Sequence, residues 1–328
     1  MKAIQIVQET GPQEALQAAE LPQPSAGAAG VLIEVHAAGV SFPELLQTRG
    51  LYQIKPPLPF VPGSEVAGVV ISAPDGLGLA PGDRAFGFCG LGGFAETAVC
   101  LPHLTFPLSS RLDYAQGAGI VLNYHTAYFA LAVRGRLRAG ETVLIQGAAG
   151  GVGTASIQVA KGMGARTLAL VSSERKREVA LQAGADEVLM AGEGWKDEVK
   201  RVSDGGVDLV LDPVGGERFL DSLRSLREDG RLVVVGFTGG SIPELRVNRL
   251  LLKNTEVIGA GWGAYALSKP ELCREIQDAL DPMIEQGIVD PVVGARYPLE
   301  QAAEAVTSLE TREAVGKVVL EPRRCSDG

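Results

Sequence analysis

No run of about eighteen consecutive apolar residues occurs, so no segment is expected to cross a bilayer as a helix. Lysine and arginine are never gathered into a block, and the formal net charge is −9. That balance offers neither nucleic acid nor an anionic membrane an electrostatic footprint. Cysteine is scarce: Cys89, Cys100, Cys273 and Cys325 lie far apart, without the spacing of a disulfide framework. The opening residues, MKAIQIVQETGPQEAL, turn polar and acidic early and do not resemble a secretory signal. A reducing, cytoplasmic setting is the expectation. Histidine is scarcer still, and His36, His103 and His125 show no i, i+4 or short-loop ligand spacing, so each is expected to be structural.

What the chain does have is length and apolar content. Its 328 residues, 46% of them hydrophobic, are enough for two domains with sizeable cores. Short β-like runs punctuated by Gly and Pro (Ala3–Val7, Val31–Ala37, Glu65–Ser72, Arg84–Phe88, Ala95–Cys100) fill the first part and predict a compact, mostly antiparallel β domain. The middle alternates instead. Strands are expected at Thr142–Gln146, Thr167–Val171, Glu187–Met190, Val207–Leu211, Arg231–Val235 and Glu256–Ile258, with helical stretches between most of them. Six strands in that rhythm make a doubly wound parallel sheet. Helices are expected at Pro270–Gln286 and Leu299–Leu309 and a strand at Gly316–Leu320, with a polar tail Glu321–Gly328.

The most informative segment is Thr142–Gly153, TVLIQGAAGGVG. A β-branched run meets a glycine cluster, and a helical stretch follows. Strand, glycine turn and helix in that order hold the pyrophosphate of a dinucleotide on backbone N–H groups at a helix N-terminus. The pattern reads A-x-G-x-x-G from Ala148, so Ala149, Gly150, Gly151, Val152 and Gly153 are the candidate cradle. The next strand ends in Ser172-Ser173, followed by Glu174-Arg175-Lys176, where an NAD-selective sheet places a carboxylate. Small hydroxyls and nearby cations suit a 2′-phosphate, which points to NADPH through Ser172, Ser173 and Lys176. The same cations also suit a solvated helix start.

Several ordered segments carry a family resemblance: AAGVSFPELLQTRGLYQ (37–53), PPLPFVPGSEVAGVV (56–70), NYHTAYFAL (123–131), GAAGGVG (147–153) and DPVGG (212–216). Together they resemble the zinc-less quinone oxidoreductase branch of the medium-chain dehydrogenase/reductase superfamily. The resemblance implies an α/β protein: a GroES-like, mostly antiparallel β catalytic domain (1–122 and 264–328) and an inserted six-stranded Rossmann domain (123–263), with NADPH in the cleft between them. Zinc-dependent relatives place Cys and His where Ser41 and Ser64 stand, and a four-cysteine lobe is missing between Gly90 and Leu112, so no metal is expected.

The resemblance further implies catalytic contacts from Ser41 and Tyr52 to the acceptor oxygen. It implies cofactor contacts from Asn123, Thr126, Gly215, Gly236, Phe237 and Lys317, and a homodimer paired through the strand near Thr255–Ala260. The expected reaction is hydride transfer from NADPH to a small-molecule quinone. The alternatives are reduction of an activated C=C bond (enone, 2-alkenal or enoyl thioester) and a non-catalytic NADPH-binding redox sensor. No dedicated general acid stands out.

Overall fold

The computed structural model describes residues 1–27 and 29–322. Its contacts divide the chain into two units, residues 1–122 with those from 291 onward, and residues 123–290. Residues 264–290, expected in the first unit, stay with the second. The reason is the Pro270–Glu285 helix, whose stripe of Cys273, Ile276, Leu280 and Ile284 is buried and which packs on the His125–Tyr128 and Gly151–Gly162 helices. A Cβ at Gly162 would stand 2.6 Å from the sulfur of Met283, so the missing side chain is what lets this helix seat closely.

The first unit opens with strands β1 (Lys2–Ile6), β2 (Leu16–Glu20), β3 (Val31–Val40), β4 (Glu65–Ser72), β5 (Arg84–Phe88), β6 (Thr97–Cys100) and β7 (Thr105–Pro107). The second holds β8 (Thr142–Gln146), β9 (Arg166–Val171), β10 (Glu187–Met190), β11 (Val207–Asp212), β12 (Leu226–Val234) and β13 (Glu256–Gly259). The chain then returns to the first unit with β14 (Val293–Pro298) and β15 (Lys317–Glu321).

In the first unit a largely antiparallel sheet runs β14-β15-β3-β4-β5-β7, with β6 also paired to β3, while β1 and β2 form a separate ribbon. Its core gathers Ile33, Val35, Val66, Val70, Phe94 and Val318 among others. β15 lies antiparallel to β3 with Val319 opposite Gly39, which carries residue 317 back beside the end of β3.

The second unit is a parallel sheet of order β10-β9-β8-β11-β12-β13. Central strand β8 is buried at all five positions, as a strand covered on both faces must be. β12 starts at Leu226 rather than Arg231; the extra residues carry a register shift against β11 and place Asp229 at φ 59°. Strands β2, β7 and β14 escaped the sequence because each is short or only partly buried. No helix among the described residues is long and apolar enough to cross a membrane.

Candidate active site

Parallel strands present their carboxyl ends on one edge, and the loops leaving β8, β9, β11 and β12 collect there. After β8, Gly147 turns the chain at φ 58°, a conformation costly for a residue with a Cβ. Gly153 sits so tightly under the turn that a Cβ would collide with the Gly147 carbonyl and the Ala148 backbone. Ala148 N–H donates to Leu170 O, tying the turn to β9. At Gly151 a Cβ would lie 2.5 Å from the Asn123 amide nitrogen, so Asn123 stands directly against the turn. Gly150 differs: a Cβ there would meet only the Gly147 carbonyl at 3.4 Å, ordinary contact, so nothing packed inside the protein requires glycine there. No side chain caps the helix that starts at Gly151. Its first N–H groups and positive dipole end are thus offered to an anion, with Ala149 and Val152 completing the turn.

Beyond β9, Ser172 is exposed, and Ser173 caps the next helix by accepting the Lys176 N–H at 3.4 Å. Lys176 Nζ donates to Ser172 Oγ at 3.3 Å, so the three residues singled out for a 2′-phosphate form one group. Beyond β11, buried Asp212 accepts N–H groups from Val214 and Gly215 at 2.9 and 2.8 Å, holding Gly215 at φ 65°. Beyond β12, Gly236 leads to Phe237, which is exposed, while the Thr238 N–H returns to Pro213 O. Thr126 is half-buried on the His125–Tyr128 helix, which packs against the Gly151–Gly162 helix. The donors, the bare turn and the cation beside the hydroxyls fit a phosphorylated dinucleotide.

The first unit holds a different arrangement. Ser41 and Tyr52, both half-buried, flank a buried polar cluster that the sequence did not announce. Lys317 is 3% exposed, and its Nζ donates to Glu65 Oε1 at 2.5 Å and to Ser41 Oγ at 2.7 Å. The Leu122 N–H donates to the other Glu65 oxygen at 2.9 Å. Glu44, also fully buried, accepts the Ser64 hydroxyl at 2.6 Å and the Ser41 N–H at 2.9 Å. Burial raises the pKa of both carboxyls above the ordinary glutamate value, and the Lys317 ammonium pulls each back. Burial, and then the charge of Glu44, push the Tyr52 phenol upward, which keeps it a proton donor. Lys317, expected at the cofactor, is thus found bonded to Glu65 and Ser41.

Sequence reasoning missed Glu44 and the Glu65–Lys317 pair. The one available signal was two glutamates in otherwise apolar segments, FPELL and GSEVAG. Among the described residues no group of three or more His, Cys, Asp or Glu side chains converges.

Two family models match the chain: "Alcohol dehydrogenase GroES-like domain" over residues 27–110 and "Zinc-binding dehydrogenase" over residues 151–278. The quinone oxidoreductase of Rattus norvegicus is 37% identical over 325 residues, covering 98% of this chain and 97% of that protein. A probable oxidoreductase of Mycobacterium abscessus superposes with a TM-score of 0.90 at 44% identity, covering 98% of this chain and 99% of the other. The quinone oxidoreductase of Thermus thermophilus, solved alone and with NADPH, superposes at 0.84 with 35% identity, covering 98% and 100%. With its antiparallel and parallel sheets and its bare glycine turn, the chain belongs to the quinone oxidoreductase branch of the medium-chain dehydrogenase/reductase superfamily.

Proposed function

We propose that this protein transfers hydride from NADPH to a quinone, without a metal ion. One observation carries the reading: an uncapped helix N-terminus behind a bare glycine turn, with Ser172, Ser173 and Lys176 grouped at the end of the neighbouring strand. Relatives named as quinone oxidoreductases, one of them solved with NADPH, support it.

NADPH supplies the hydride when bound. The residues of the chain bind and orient. Backbone N–H groups of 151–153 take the pyrophosphate, with the Gly150 N–H held by the Gly147 carbonyl; Ser172, Ser173 and Lys176 take the 2′-phosphate, and Asn123 and Thr126 the nicotinamide end. Gly215, Gly236 and Phe237 line the remaining strand ends. Ser41 and Tyr52 donate to the acceptor oxygen as negative charge builds on it. Metal independence is supported by the donor set: Ser41 and Ser64 are hydroxyls, and Glu65 is committed to an ammonium.

The test is an acceptor screen following NADPH oxidation, with 1,4-benzoquinone, 9,10-phenanthrenequinone, crotonyl-CoA and a 2-alkenal, alongside metal analysis of the purified protein. Turnover of a quinone and no stoichiometric zinc is the expected result. Faster turnover of the alkenal or thioester would favour reduction of activated C=C bonds. Tight NADPH binding with no acceptor turned over would favour a redox sensor. Free thiols at Cys89, Cys100 and Cys273 accord with a cytoplasmic location.

A homodimer is part of the same reading. β13 is an edge strand, Val257 on it is partly exposed, and Val247, Leu251 and Leu252 nearby expose 73–79% of their surfaces. Sedimentation is expected to show a dimer at micromolar concentration and a monomer for Val257→Lys.

A further inference from the structure

A hydroxyl that already accepts from an ammonium stands at the half-buried margin of the first unit. Ser41 Oγ accepts from Lys317 Nζ, and the Ser41 backbone N–H donates to the Glu44 carboxylate. An ammonium gives protons and has no lone pair, and a hydroxyl oxygen accepts at two positions. The ammonium cannot take the serine proton in return, so the proton of Ser41 is left for whatever meets its open side.

Behind it, Lys317 is held by construction. A Cβ at Gly39 would stand 2.7 Å from Lys317 Cε and 2.8 Å from Glu65 Cγ, and one at Gly119 would stand 3.2 Å from Lys317 Cγ. Two glycines on separate segments clear the path of one lysine side chain. A buried ion pair is a poor source of stability, since apolar replacements of similar volume usually do as well. The pair therefore calls for another use.

Resting on the hydride-transfer reading above, we infer that Ser41 and Lys317 are the proton-delivery pair of the reaction. Ser41 is the catalytic residue that meets the acceptor, Lys317 replenishes it, and Glu65 and Glu44 are positioning residues. The acceptor gains a hydride with its two electrons from NADPH and becomes an oxyanion, hydroquinone monoanion or enolate alike. The Ser41 O–H bond breaks as an O–H bond forms on the product. An N–H bond of Lys317 then breaks to restore the serine hydroxyl. Water entering as product leaves returns one proton through Ser41 to the lysine amine. The sum is NADPH, acceptor and one solvent proton going to NADP⁺ and reduced acceptor.

The test separates the charge of Lys317 from its proton. Arginine keeps the charge and does not release a proton. Steady-state turnover of 9,10-phenanthrenequinone is measured beside binding of 4-nitrophenolate to the NADP⁺-loaded protein, the yellow anion standing in for the product oxyanion. Wild type is expected to do both. S41A loses ~100-fold in kcat and ~10-fold in anion affinity. K317R keeps anion binding and loses kcat by a similar ~100-fold. S41A at wild-type turnover, K317R at wild-type turnover, or a K317R protein that binds no anion would each overturn the pair. A wild type inactive with every acceptor would overturn instead the hydride-transfer reading on which it rests.

Discussion

The two units build their sites from opposite materials. In the second, the binding feature is main chain: a left-handed Gly147, a Gly153 with no room for a Cβ, and a helix end with no capping side chain. In the first, the feature is side chains: Ser41, Glu44, Ser64, Glu65 and Lys317 bonded to one another in the interior. A main-chain cradle is vulnerable only where its glycines are. A buried charge cluster is vulnerable everywhere, because removing one member leaves another desolvated and unpaired.

The largest expected effect tests that vulnerability. Lys317→Met strands Glu65 and is expected to cost ~3–5 kcal/mol in urea unfolding. Pairing it with Glu65→Leu should recover most of the loss; an equally unstable double variant would show that the pair is not what holds this region.

Acid distinguishes the units next. His125 is buried, bonded to Gln277 Oε1 at 2.9 Å, and burial lowers its pKa from 6.5 to about 4. The unfolded chain therefore takes the proton first. The His125 contribution is whole above about 6.5 and is lost as pH falls through that window, up to roughly 3 kcal/mol. Glu44 and Glu65 carry the opposite sign: their folded pKa values are raised, so their contribution is whole at low pH and fades as pH rises through those values. Asp212 and Asp281 share that sign within the second unit and offset part of the loss. Unfolding at pH 7 and pH 5 should show a smaller acid loss in His125→Asn than in wild type. An identical loss would clear His125.

Gly153→Ala is expected to cost ~2 kcal/mol, since backbone rather than a flexible side chain must give way. NADPH affinity, read by calorimetry, should fall with it. Gly150→Ala should leave stability alone and weaken only the cofactor, a contrast that a main-chain cradle requires. The smallest effect is expected at Lys176→Ala, a ~10-fold fall in the ratio of kcat/KM with NADPH to that with NADH.

The cradle was legible in the sequence because a main-chain site must be contiguous. Residues 142–153 declare strand, turn and helix by themselves, and β8 and β10 fall where the apolar runs place them. The partition of residues 264–290 was not legible, because the apolar stripe of the Pro270–Glu285 helix says that it packs but not on what. The charge cluster was legible only in pieces. Ser41 and Lys317 were each singled out, yet 276 positions separate them and only the β15–β3 pairing brings them together. Glu44 sits within a short helix whose sequence gives no sign that its carboxylate points inward.

That separation sets an order of assembly. As the chain leaves the ribosome, residues 123–290 are complete and free to fold while Glu65 still waits for its counter-charge 252 residues downstream. The unit begun first is finished last. A nascent chain halted before Lys317 has a whole nucleotide-binding sheet beside a first unit whose buried carboxylate still lacks its ammonium.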